Sequence, residues 1–292
     1  MARVFGRLVV IGYVAFAAAI TVPSVGHCQA PPGADRPAQP PAVPPKAEPQ
    51  PDLINPDRPG LADGSNVVGK HRFQIEIGVQ QEFRKDNGVS TRTTFIPTLL
   101  RFGMGDKWEG RIEGNNFTFV HTSDPMLGGS DSSGLAPFSY GFKYHFQDQT
   151  APGKRASLGT IFRLFPASGS GGFGTNHTTG DLRLVADWAL SDQWSLNPNA
   201  GIAIYEDGSG RTFTAGLAAL TLNYNPNPRV NPFVDMGFQG PEERNGRSSL
   251  ILDAGLAFIT SRNIQLDVSL GTGALGKGSP HPFWSAGVSA RF

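Results

Sequence analysis

Charged residues fall at alternate positions around the turn in LLRFGMGDKWEGRIEG, residues 99–114. Arg101 lies before MGDK, and Glu109, Arg111 and Glu113 lie after it. At a two-residue period such residues share one face of a hairpin. Arg101 with Glu109, and Arg111 with Glu113, can then neutralise each other as a buried network or line a polar path for a solute. The two roles are compatible. The same phasing puts Glu76, Lys143, His145, Arg163, Asp181, Arg183, Asp187, Asp235, Asp253, Asp267 and Arg291 on the inward face, with both signs present in similar numbers.

Other chemistries find weaker footing. His121 stands beside Ser123 and Asp124, but sequence neighbours on a strand end point in different directions. No Gly-x-Ser-x-Gly elbow occurs at a strand-to-helix turn, so catalysis is not expected. His177 and His281 lie in different loops without the spacing of metal ligands. SGSGGFG at 168–174 precedes a strand and lacks the helix N-terminus of a phosphate cradle, so no cofactor is expected.

The elements that must carry the charges are strands. In FSYGFKYHFQ, Phe138, Tyr140, Phe142, Tyr144 and Phe146 alternate with small or charged residues. Similar alternation marks 71–83, 93–103, 108–121, 156–166, 182–190, 194–205, 211–224, 230–239, 250–258, 263–272 and 283–292. These are about twelve segments of roughly 9–11 residues, the length of a tilted strand crossing an outer membrane. Short links (104–107, 190–193, 225–228, 260–263 and the somewhat longer 147–155) alternate with longer, glycine-rich ones such as TSDPMLGGSDSSG and PASGSGGFGTNHT. Short turns on one side and longer loops on the other predict an all-β, antiparallel, up-and-down transmembrane barrel, with both termini on the periplasmic, short-turn side. Pro97, Pro198 and Pro232 fall inside predicted strands, where each marks a bulge, a strand end or a register other than the one assigned.

The chain has 292 residues, 37 of them glycine and 20 phenylalanine, and its net charge of +1 gives no reason to expect a nucleic-acid partner. Arg3 and Arg7 precede an apolar run from Leu8 to about Val22, the layout of a secretory signal peptide over 1–30, with cleavage after Gly26 or Ala30. His27 before Cys28 departs from a lipid-attachment site, and the single cysteine excludes an intramolecular disulfide. Residues 31–56, rich in proline, are expected to form an extended spacer, and 57–292 the barrel. The ending FWSAGVSARF places Trp284, Val288 and Phe292 on one face.

The barrel's opening, INPDRPGLADGSNVVGKHRFQIEIG, has Asp57-Arg58-Pro59, Gly69 and Gln74-Ile75-Glu76. With the arginine hairpin at 99–114 and the strands YGFKYHF, LSDQWSLNPNAG and LDAGLAFITSRNIQLDVSLGTG, it resembles the outer-membrane transporter family named for a meta-pathway of phenol degradation, over about 55–292. The resemblance implies a channel for small solutes, hydrophobic or aromatic compounds among them. Alternative readings are a non-conducting structural or surface-interaction barrel and, more remotely, an outer-membrane hydrolase. The expected partners are outer-membrane lipids, a small-molecule solute and the barrel-assembly machinery, which reads an ending of the Trp284, Val288, Phe292 kind.

Overall fold

A strand that alternates polar and apolar residues needs two different surroundings, one on each face. Closing the sheet supplies both. The computed structural model describes residues 52–207, 209–241, 246–275 and 280–292; the expected signal peptide and residues 31–51 of the expected spacer lie outside them. The strand segments are β1 (Phe73–Asp86), β2 (Val89–Phe95), β3 (Thr98–Gly103), β4 (Trp108–Gly114), β5 (Phe117–Asp124), β6 (Gly128–Leu135), β7 (Phe138–Gln147) and β8 (Ser157–Phe165). After a 3-10 turn at Gly171–Phe173 come β9 (Thr179–Ala189), β10 (Trp194–Glu206), β11 (Thr212–Tyr224), β12 (Val230–Gln239), β13 (Ser249–Ser261), β14 (Ile264–Leu275) and β15 (Phe283–Arg291). All pair antiparallel, and β15 returns to β1 from Gln74↔Arg291 to Glu82↔Phe283. The closed sheet has no free edge along this join.

Fifteen segments make twelve wall strands, because three strands are interrupted: β2 from β3 at Ile96-Pro97, β4 from β5 at Asn115-Asn116, and β6 from β7 at Ala136-Pro137. The interruptions lie side by side. Gly78 N–H donates to Pro97 O (3.0 Å), Ile96 N–H to Asn115 O (3.3 Å), and Ala136 N–H to Asn116 O (2.8 Å). Two prolines without N–H groups and Asn116 at φ +36° account for the seam. Beyond it, the far half of β1 pairs with β2, β2 with β5, and β5 with β6, giving a ribbon whose last strand is exposed along nearly its whole length. Thus TSDPMLGGSDSSG, expected as a loop, is mostly the β5–β6 hairpin. The β1–β2 link is the two-residue turn Asn87-Gly88, both at positive φ (49° and 88°), which suits the twist of a hairpin.

Pro198 and Pro232 are accommodated differently. Within β10, Leu196↔Trp188 and Asn199↔Val185 put Pro198 opposite Ala186, in a gap in the ladder, and the Asn197 side-chain amide donates to the Ala186 carbonyl (3.3 Å). Pro232 lies beyond the β11–β12 ladder, which runs from Leu217↔Gln239 to Asn223↔Phe233. Neither proline leaves a pairing donor missing.

The outward face is apolar: Phe142, Phe162, Leu184, Ile202, Val234 and Val268 are each between 42% and 57% exposed. That much apolar surface in a continuous band requires hydrocarbon around it. Rings gather at the short-turn end, where Trp108 stacks on Tyr144 (4.4 Å), Trp194 meets Tyr224 (4.7 Å), and Phe73 lies against Phe102 (5.0 Å) and Phe292 (6.0 Å). This is the arrangement of an interfacial aromatic girdle. The interior is polar, with Gln74, Glu76, Arg101, Glu109, Ser139 and Lys143 at 0–1% exposure.

Candidate functional site: the lumen and the segment inside it

Residues 52–72 run inside the barrel, and the wall begins at Phe73, within the first expected strand of 71–83. The stretch DLINPDRPGLADGSN has no two-residue period, and Pro56 and Pro59 keep it out of any ladder. Its backbone groups therefore need partners from the wall. Both ends lie at the short-turn rim. Ile54 N–H donates to Arg262 O (2.8 Å), and Asp52 pairs with Arg72 (2.5 Å) and Arg291 (3.0 Å). The Arg72 guanidinium, hydrogen-bonded to Asp52, leads in holding that carboxyl below its usual range. On the way out Val68 N–H donates to Glu109 (2.9 Å) and His71 N–H to Gly103 O (3.1 Å). A side chain at Gly103 would collide with the Gly69 carbonyl.

Between these ends, wall side chains take the place of a ladder. Glu76 accepts from the Asp57 and Arg58 N–H groups (3.2 and 2.9 Å), Asp235 from Leu61 (3.0 Å), Asn199 from Asp63 (2.8 Å) and Asp187 from Ser65 (2.7 Å). Arg101 donates to the Asn55 and Asn66 carbonyls (3.1 and 3.0 Å), and His145 Nδ1 reaches Ser65 O (3.1 Å). Ile54 is 2% exposed, so residues 52–56, expected in the spacer, are part of this packed insert.

Charge is arranged across the lumen. The strands from β3 to β9 carry Arg101, Arg111, Lys143, Arg163 and Arg183 interleaved with Glu109, Glu113, Asp181 and Asp187, whereas the inward charges of β12, β13 and β14 are the carboxylates Asp235, Asp253 and Asp267. Adjacent residues of the insert answer each side. Asp57 pairs with Arg111 (2.5 Å), Lys143 (2.8 Å) and Arg101 (3.6 Å), while Arg58 turns to Asp267 (2.9 Å) and Ser285 (3.0 Å). Burial works against charge on Asp57, but Arg101, Lys143 and Arg111 outweigh it and hold its carboxyl far below the usual range. The Arg58 guanidinium fits a slot left by the cross-strand pair Gly78↔Gly287, where β-carbons would lie 2.6 and 2.5 Å from it. Glycine is needed there for space.

Arg101 bonds Glu109 (2.8 Å) and Glu76 (3.0 Å), and Arg111 bonds Glu113 (3.0 Å) and Asp63 (3.1 Å). Arg183 shares Asp63 (3.1 Å), and Arg163 pairs with Glu113 and Asp181. Such a network is stable only when every member is compensated, since removing one partner of a buried pair costs about 3–5 kcal/mol. Arg291 stands apart, at the rim, bonded to Asp52 and to Asn263 Oδ1 (3.0 Å). Trp284 is on the outward face of β15, with Val288 at the same parity, and Phe292 N–H donates to Phe73 O (2.8 Å). His121 is not joined to Ser123 or Asp124: it pairs with Asp131 across the exposed ribbon (2.7 Å), and Asp124 caps Met126 N–H (2.7 Å). Sequence reasoning gave no lumenal role to Asp57, Arg58 or Asp63; their signal was charge inside an otherwise proline- and glycine-rich stretch.

The insert divides two cavities. On the long-loop side one of about 870 Å³ is lined by the charges of Arg111, Glu113, Arg163 and Arg183 and by the rings of Phe165 and Phe173. On the short-turn side one of about 540 Å³ is lined largely by amides, including Asn197, Asn223, Asn231 and Gln265, with Phe233 and Ala257.

A closed twelve-stranded antiparallel sheet, apolar outside and polar inside, is the fold of an outer-membrane β-barrel. The chain belongs to the family described as "Putative MetA-pathway of phenol degradation", whose model matches residues 56–292. The fold is shared with the COG4313 outer membrane channel from Pseudomonas putida F1 (TM-score 0.61, 14% identity, 82% of this chain and 100% of that one). It is also shared with the β domain of the Bordetella autotransporter BrkA (TM-score 0.51, 16% identity, 76% and 100%). No curated protein matches the sequence.

Proposed function

We propose that this barrel is an outer-membrane channel for passive movement of small solutes, including hydrophobic and aromatic compounds, with its short-turn end and both termini in the periplasm. The observation that carries the reading is a pair of cavities, about 870 and 540 Å³, on either side of an insert held by polar contacts. A barrel whose interior served only packing would fill that space with side chains. The family description and the name of the Pseudomonas channel support the same reading. Arg101, Glu109, Arg111, Glu113 and Lys143 act as the seat of the insert and as the charged lining of the path once it moves. Lipids surround the outward belt, and the barrel-assembly machinery reads the last strand, with Trp284, Val288 and Phe292.

The test is conductance of the refolded protein in a planar bilayer, titrated with small aromatic solutes. Discrete current steps that an aromatic solute blocks are expected. A barrel that shifts in gel mobility on heating and inserts, yet never conducts, would instead be structural, with its loops or ribbon as the working surface.

A further inference from the structure

We propose that the outward face of the ribbon docks the phosphorylated headgroup of an outer-leaflet glycolipid, with Arg92 and Lys85 as the cations that meet its phosphate. The inference rests on the reading above only in placing the long-loop end outside the cell.

Cross-strand pairing stacks the outward side chains of the ribbon in rows about 7 Å apart along the strands. Nearest the seam, Phe117 lies opposite Leu135. The next row runs Trp284, Gln81, Thr94, Phe119, Ser133; the third runs Phe83, Arg92, His121, Asp131; and the farthest runs Lys85, Ser90, Ser123, Gly129. Phe117 and Phe119 are 54% and 50% exposed, as side chains that face hydrocarbon are. The face therefore passes from aromatic rings to cations within two rows, and Trp284 stands where an interfacial tryptophan belongs.

The two faces of the ribbon carry opposite charge. Glu82, Asp86 and Asp124 share the inward parity with one cation, Arg84, which pairs with Glu82 (3.2 Å). Lys85, Arg92 and His121 share the outward parity with one acid, Asp131, which is bonded to His121 (2.7 Å). Lys85 and Arg92 are exposed and have no ion-pair partner among the described residues. The lumenal arginines are all answered by carboxylates of the chain itself, so the outward face differs from the lumen in drawing its counter-charge from outside.

A concavity of about 330 Å³ opens on this face, lined by the outward side chains of Arg92, His121, Thr94, Ser133, Phe119 and Asp131. The guanidinium and the two hydroxyls can donate to phosphate and sugar oxygens, and Phe119 meets the start of an acyl chain. Asp131 alone would repel a phosphate, and it is engaged by His121. A soluble anion would use the cations and leave the rings idle. A zwitterionic lipid brings its own cation to its phosphate. A lipid with phosphate on a sugar headgroup and no such cation matches both the rings and the charges.

The deciding experiment is native mass spectrometry of the refolded barrel titrated with bisphosphorylated lipid A, with the same lipid dephosphorylated and with phosphatidylcholine, each with and without inorganic phosphate. The phosphorylated glycolipid should bind saturably and at least fivefold more tightly than the other two, and Lys85→Ala with Arg92→Ala should lower its affinity about tenfold. Equal binding of the dephosphorylated lipid, or undiminished binding by a folded double variant, overturns the proposal. Displacement of the lipid by inorganic phosphate would mark a site for soluble anions and overturns it too. If the double variant does not fold, the contrast between the two forms of lipid A in the parent decides. On intact cells Leu127→Cys, at the exposed ribbon tip, in a Cys28→Ser background should react with a maleimide too large to cross the outer membrane. An unlabelled tip overturns the orientation and with it the outer-leaflet partner, whereas a labelled tip without phosphate discrimination defeats this inference alone.

Discussion

The cavities on the two sides of the insert differ in how their polar groups are satisfied. On the long-loop side Arg111, Arg163 and Arg183 are answered by Asp57, Asp63, Glu113 and Asp181, in pairs that link wall to wall and wall to insert. On the short-turn side neutral amides hand one donor along three strands and stop at Asn231 Oδ1, a buried acceptor without a partner. A charged lining closes on itself, because every uncompensated ion in a dry interior costs several kcal/mol. A neutral lining tolerates unsatisfied groups, here Asn231 Oδ1 and the Thr221 hydroxyl, at about 1–3 kcal/mol each. Charge therefore holds the insert.

The difference can be broken most forcefully at Asp57. Asp57→Ala leaves Arg111, Lys143 and Arg101 facing one another, so the insert should leave its seat and join the two cavities. Single-channel conductance should rise severalfold; an unchanged value in a folded variant would mean that Asp57 does not hold the insert. Next in size, Arg101→Ala with Arg111→Ala should alter conductance and shift reversal potential under a salt gradient toward cations. Unchanged conductance and reversal potential in a folded double variant would mean that these arginines do not line the path. Gly287→Ala removes the space taken by the Arg58 guanidinium and frees Arg58 from Asp267. Its expected effect is a rise in channel open time smaller than that of Asp57→Ala, read from the same current traces. The smallest change is expected from Asp52→Ala, since its carboxylate is 59% exposed and surface ion pairs contribute about 0–1 kcal/mol. Unfolding in urea should move by no more than that, and a larger shift would make the rim contact part of the seat.

The wall was legible because lipid outside and water or ions inside impose a period of two on every crossing strand. FSYGFKYHFQ carries the aromatic face of β7, and the same alternation pointed to about twelve strands and to the family. The ribbon was not legible. β6 reads GGSDSSGL, exposed on both faces, so no environment imprints a period and only main-chain pairing with β5 makes it a strand. Residues 52–72 were hidden for another reason. Their partners are single side chains on strands as far away as Asp267 and Arg291, and such contacts leave no local pattern around Asp57 or Arg58.

The insert enters and leaves by the same rim, with Ile54 at Arg262 and His71 at Gly103. In topological terms it is a bight and not a thread. A thread can be cleared only by drawing a chain end through the barrel. A bight slips out of the mouth it entered and slips back, with no terminus crossing and no wall strand unpaired. Opening therefore requires exchange of the polar contacts along the insert, and the hydrogen-bonded cylinder around it stays whole.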